Sequence, residues 1–315
     1  MSYSEMMFGC LPNSETPEVM AELAGLEAPW DATDQPVLAE YASLKPWLEE
    51  KAETNDRLRK QGGLKPWWEV CEKMKLDPLE IVLPSQGSIG SCAGVSYFDH
   101  CYQIQLLKQI ASGSEQTIEP VNALTTWLVS KGWSRGGGQS ISAVVREGCQ
   151  TGVFPASMVG KYSASWYDRS AAAEHTADAQ KRQMGASLVP DSADKVEAAL
   201  LALRAGHVVE FGQNVAIRGT DTDANGVTVL TLGGSWSHAT MASEIVIING
   251  TVYVRIENSH DSIYASALGP KIGGLMTLDT FKRYVGGNWC DVAIVTHVES
   301  PYDLTLLPTL TPEVF

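Results

Sequence analysis

The spacing of apolar residues changes partway along this chain. From Ser91 to Ile110, Val95, Phe98, Tyr102, Leu106 and Ile110 recur every three or four residues, the period of a largely buried helix. Further helices are predicted over 120–131, 140–147 and 193–205, the last ended by Gly206. Beyond Gly206, β-branched runs predict strands over 208–211, 215–218, 227–232, 244–248, 251–256 and 292–298. Asn225-Gly226 and Asn249-Gly250 lie between such runs, and both residue types tolerate the positive φ of a two-residue hairpin turn. A mostly helical half followed by a mostly antiparallel β half makes the class α+β.

Residues 1–79 differ in texture. They are acidic, and prolines at 12, 17, 29, 36, 46, 66 and 78 divide short segments that could be helical. Leu44-Lys45-Pro46-Trp47-Leu48-Glu49 recurs as Leu64-Lys65-Pro66-Trp67-Trp68-Glu69. In each copy proline suits a helix's first turn, where its missing N–H costs nothing. The tryptophans then bury against a neighbouring surface, or serve as a partner-binding motif. The organisation expected is an extension over 1–79, a globular domain over 80–300 and a proline-containing tail over 301–315.

Charge and cysteine usage narrow the partners. A formal charge of −14 over 315 residues, with no local Lys/Arg cluster, repels a phosphate backbone or an anionic membrane, so neither nucleic acid nor membrane is an expected partner. No apolar run reaches the roughly 18 residues of a membrane span, and Met1 to Leu11 is not patterned as a secretory signal. The expected place is therefore the cytoplasm, or a viral particle or other assembly. Cysteines at 10, 71, 92, 101, 149 and 290 form neither CxxC pairs nor a disulfide framework, and no metal or cofactor is expected. Gly136-Gly137-Gly138 lacks the Lys and Ser/Thr of a phosphate loop. Asp221, Asp223 and Asn225 alternate as calcium ligands do, but no Glu closes the loop, and a hydrated hairpin tip is the better reading. His100-Cys101 falls on the buried helix and reads as packing.

The chemistry-bearing stretch is Gln86-Gly87-Ser88-Ile89-Gly90-Ser91-Cys92-Ala93-Gly94, a glycine-broken loop that delivers a cysteine to a helix start. Positive potential there favours thiolate, although a cysteine opening an apolar helix is ordinarily a small packed hydrophobe. The backbone N–H of Cys92 and the Gln86 amide could meet a developing oxyanion. Among six histidines, His238 stands out: Gly233-Gly234-Ser235-Trp236-Ser237-His238-Ala239 follows a strand, and its small residues leave an imidazole room to face a cleft. Asn258, ending the strand over 251–256, could accept the imidazole N–H.

Gln86-Gly87, Gly90-Ser91-Cys92, His238-Ala239 and Asn258-Ser259, in that order, resemble the motifs of the papain family of cysteine peptidases. The resemblance covers about residues 80–298. It implies a helical half and an antiparallel β-barrel-like half with the cleft between them, and a peptidase acting on peptide or protein substrates. It further implies Cys92 as nucleophile, His238 as base, Asn258 as its orienter and Gln86 in the oxyanion site. Gly137 and Gly138 would lie along the substrate, the alternative for them being a flexible turn. Ile89 replaces the cysteine of a family disulfide, Ala93 the tryptophan after the nucleophile, and His260 the tryptophan that shields the His-Asn bond. The alternative is a non-catalytic interaction protein of a viral particle or other assembly on the same scaffold, attached through residues 1–79 and the tail.

Overall fold

The computed structural model describes residues 10–11, 40–60, 66–83, 85–87, 89–112, 114, 116–134, 136–163, 167–260, 273–287 and 289–301. The tail proposed over 301–315 lies, but for Pro301, outside the described residues, as does most of 1–39.

A short strand β1 (Cys10–Leu11) precedes helices α1 (Tyr41–Lys60), α2 (Trp67–Lys73) and α3 (Pro78–Ile81). The periodic apolar run forms one helical rod in three parts, α4 (Cys92–Val95), a π-helical stretch (Ser96–Cys101) and α5 (Tyr102–Ala111). Then come α6 (Ala123–Ser130), β2 (Gln139–Ser140), α7 (Ile141–Gln150), α8 (Ala156–Val159), α9 (Arg169–Glu174) and α10 (Thr176–Ala179). The remainder is β3 (Met184–Leu188), α11 (Lys195–Arg204), β4 (Val208–Thr222), β5 (Thr228–Ile248), β6 (Thr251–Glu257), β7 (Gly273–Thr277), α12 (Leu278–Val285) and β8 (Cys290–Val298). Side-chain caps set several starts: Asn122 accepts from Thr125 N–H, Ser140 from Ala143 N–H, and Asp194 from Val196 and Glu197 N–H.

The sheet runs β3-β8-β4-β5-β6-β7, each neighbouring pair antiparallel. It is open, which corrects the barrel-like half expected from the sequence. Curling is confined to a single bridge between Val229 of β5 and Leu275 of β7. The reason lies in the alternation along the central strands. Val208, Ala293 and Val295 enter one core, with Phe98 and Trp127 of the helical half; Val209, Phe211, Val292 and Ile294 enter a second, with Leu48, Leu203, Phe281 and Tyr284. Both faces are apolar, so both are covered by helices and neither needs to close on itself.

Strands predicted separately merge. Residues 208–211 and 215–218 belong to β4, and 227–232 and 244–248 belong to β5, because register shifts absorb the polar and glycine residues between them. Asn249 and Gly250 both have positive φ and join Ile248 to Thr251 in a two-residue turn. Asn225-Gly226 does not form such a turn. Thr222 pairs with Thr228, and the Asp223 carboxylate accepts N–H bonds from Asn225 and Val227, making a longer loop.

The two Leu-Lys-Pro-Trp copies differ. Pro66 stands just before α2, as a helix start requires, but Pro46 lies inside α1 on its exposed face. Ala42, whose carbonyl loses its partner there, is also an exposed residue. Both tryptophans turn inward: Trp47 stacks on His207 at 5.0 Å, and buried Trp67 donates Nε1–H to Glu257 at 3.2 Å. Arg255 lies over Trp68 at 4.1 Å. The second copy is thus packed against the strand that leads to Asn258.

Candidate active site

The helical rod carries Cys92 in its first turn, wholly buried. Gly94 lets the rod meet α6, since a Cβ there would come within 2.6 Å of Trp127. The π-helical stretch does local work as well. Asp99 accepts Leu83 N–H at 2.7 Å and His100 Nε2 lies 2.8 Å from Leu83 O, so the rod clamps the backbone just ahead of Gln86. Burial pushes Asp99 up to about 8 and His100 down to about 4, which leaves both neutral near pH 7.

Gln86 is buried and anchored at both ends. Its Nε2 donates to Ile89 O at 2.7 Å, its Oε1 accepts from Ser259 Oγ at 2.6 Å, and its backbone N–H donates to Ser259 O at 2.8 Å. Tyr162 Oη donates to Gln86 O at 2.6 Å. The Gln86 loop is thereby tied to the segment that carries Asn258, and one of its two amide hydrogens remains beyond the Ile89 bond.

His238 does not sit in a loop, as its small neighbours suggest; it lies within β5, opposite Gln213 of β4, and is wholly buried. The next residue closes the gap to the helical rod, Ala239 N–H donating to Cys92 Sγ at 3.4 Å. His238 Nε2 lies 2.9 Å from Asn258 Oδ1, which also accepts His260 N–H at 3.0 Å. The second bond settles the amide's orientation, because a backbone N–H needs an oxygen. Nε2 must then carry the proton, and Nδ1 presents a lone pair. Among the described residues Nδ1 has no hydrogen-bond partner. Burial, and after it the nearby His260, push His238 down to about 3 against the support of the Asn258 bond.

Two aromatic side chains pack on His238: His260, singled out in the sequence as standing in for a shielding tryptophan, and Trp236, which was not assigned. Trp236 packs edge-on at 4.6 Å between ring centroids, and His260 stacks at 4.7 Å with 25° between planes. For Trp236 the signal was available: two residues apart along a strand places side chains on one face. His260, which stands where the resemblance has a tryptophan, thus still puts a ring against His238.

Gly137 is exposed with φ +66, and a Cβ there would meet nothing within 4 Å. Lys131 Nζ donates to Gly136 O at 2.6 Å and to Gly137 O at 3.0 Å, so both carbonyls are already engaged. Gly138 leads into β2, whose Gln139 and Ser140 pair in parallel with Cys10 and Leu11 of β1. β2 lies beside α4, and β1 packs against β4 and β5. The strand that follows the glycine stretch therefore borders the Cys92 helix, and β1 lies next to it.

No family pattern and no curated sequence matches this chain. Solved structures do. Xylellain, a cysteine protease from Xylella fastidiosa, aligns over 94% of this chain and 97% of its own with a TM-score of 0.51 and 15% identity. ProCathepsin B S9 from Trypanosoma congolense aligns over 95% of this chain and 88% of its own with a TM-score of 0.51 and 12% identity. At such identities it is the fold that is shared, and this chain has the papain-like fold of those proteins.

Proposed function

We propose that the chain is a thiol-dependent peptidase that cleaves peptide bonds through a Cys92 thioester. The observation that carries this reading is the state of His238. Its Nε2 proton is committed to Asn258, leaving a neutral Nδ1 lone pair in a strand hydrogen-bonded to the Cys92 sulfur through Ala239. In the reaction the Cys92 S–H proton passes to His238 Nδ1 as sulfur bonds to the acyl carbon. The oxyanion is held by the Cys92 N–H and the free Gln86 amide hydrogen. The C–N bond then breaks, and the amine leaves with the proton from Nδ1. Water next gives a proton to Nδ1, adds to the thioester carbon and releases the acid, returning the thiol.

Gly138 is the better substrate contact of the two glycines, since Lys131 holds the Gly137 carbonyl. Residues 1–79 are read as a covering segment, because β1 takes the main-chain edge at Gln139–Ser140 that an extended substrate would use. A second reading, an interaction protein on the same scaffold, is favoured by one observation: Cys92 and His238 are both wholly buried.

The test is alkylation by an epoxide or vinyl-sulfone inhibitor near neutral pH, with the intact chain compared to Cys92→Ala. Selective labelling of Cys92 is expected. Its absence, with and without residues 1–39, refutes the peptidase reading.

A further inference from the structure

His260 packs over the face of the candidate base. Its backbone N–H shares Asn258 Oδ1 with His238 Nε2, and its ring lies flat on the His238 ring at 4.7 Å. A bridge between Ser85 and His260 fixes the segment from the Gln86 side. A phenyl or indole in this place would only exclude water. A second imidazole can take a proton of its own.

We propose that His260 is a positioning residue that makes the competence of His238 depend on the charge of its neighbour: a proton on His260 opposes the imidazolium that His238 must become when it takes the Cys92 proton. This rests on the peptidase reading only for its consequence in turnover; the coupling of the two rings stands on the geometry. Among the described residues, the titratable groups that bear on His238 besides His260 include Cys92, joined through Ala239, and His100, which also weighs against charge on His238. Asp99, next to His100, is held protonated by burial, so it supplies no compensating negative charge near neutrality. Trp236, on His238 as well, is uncharged. A like charge at 4.7 Å depresses the partner's titration by between about 0.6 and 2.6 pH units, as the effective dielectric goes from water to about 20.

The experiment is an NMR titration of the histidine Cε1–H signals in the intact chain carrying Cys92→Ala, followed with His260→Gln and His260→Phe added. Glutamine keeps polarity without a ring; phenylalanine keeps the stacked ring without charge. The His238 titration is expected to move up by about half a unit or more in both. No upward movement in either overturns the proposal, and movement in the glutamine variant alone assigns the effect to burial and overturns it too. In parallel, the alkylation rate of Cys92 is followed against pH in the chain with Cys92 intact. Its acid limb, set where His238 becomes protonated and can no longer accept the Cys92 proton, should shift to higher pH in both variants, with KM for a peptide substrate little changed. An acid limb that stays in place while the NMR signal moves refutes the link to the nucleophile. If no peptide is turned over at all, the peptidase reading fails, while the two titrations still decide the coupling.

Discussion

Asn258→Ala is the most direct test of how the site is held. The change removes one oxygen that serves two buried donors, His238 Nε2–H at 2.9 Å and His260 N–H at 3.0 Å. Leaving each donor unsatisfied costs roughly 1–3 kcal/mol, so stability should fall by about 2–6 kcal/mol. For the base the cost differs in kind. A hydrogen bond of net worth about 1 kcal/mol biases the tautomer some fivefold toward Nε2–H, the form with its lone pair at Nδ1. Without it the proton is free to move to Nδ1, where a thiol can no longer give up its own. The ring nevertheless remains clamped between Trp236 and His260, so its position is largely kept. We therefore expect kcat/KM to fall about tenfold, mostly in kcat, far less than the near-complete loss in His238→Ala. The assays are peptide hydrolysis, epoxide alkylation of Cys92 and chemical denaturation of the intact chain. Activity within twofold of wild type, together with unchanged stability, would refute both the tautomer assignment and the shared oxygen.

Other perturbations test separate parts of the structure. His100 and His238 are held neutral by burial, down at about 4 and about 3, below their unfolded values. The stability they carry is complete above about pH 6.5 and is lost as pH falls toward those values, at roughly 1 kcal/mol per pH unit for each ring. Asp99, raised to about 8, acts in the opposite sense: its contribution is complete below about pH 3.9 and is lost as pH rises through 8. It therefore offsets one ring between about pH 4 and 6.5, and Asp99→Asn should steepen the acid loss of stability measured by denaturant titration; an unchanged slope refutes the opposition. Gly152→Ala places a Cβ 2.1 Å from Ala179 O at φ +76, and thermal unfolding should show destabilisation of about 3 kcal/mol or more; a variant as stable as wild type would show that this backbone has room to shift. Deleting residues 1–39 frees the β2 edge from β1 and should speed Cys92 alkylation several-fold. An equal or slower rate, in a chain that keeps its far-UV signal, would mean that β1 does not stand in the path of substrate.

Local pattern made the helical rod legible, because residues three and four apart form one buried face whatever that face meets. It also made Cys92, His238 and Asn258 legible as candidates, since each lies in a short motif next to a helix start or strand. Two of the strand boundaries were hidden. Ser235 to His238 reads as a loop by its small and polar residues, yet pairing with β4, through register shifts, holds it extended as part of β5. The strands over 184–188 and 273–277 and the helix over 278–285 gave too short a periodic signal beside glycines to be set apart from loops.

What the sequence by itself determined was the order of elements, the class, and the residue types able to do thiol chemistry, because these depend on neighbours within a few positions. Only the tertiary structure decided the rest. It opened the sheet where a barrel was expected, since both faces found helices to cover them. It placed Asn258 Oδ1 between two donors and so fixed the proton on His238. It also put His260, far from His238 in sequence, against its ring, because a contact between distant segments is set by packing rather than by spacing along the chain.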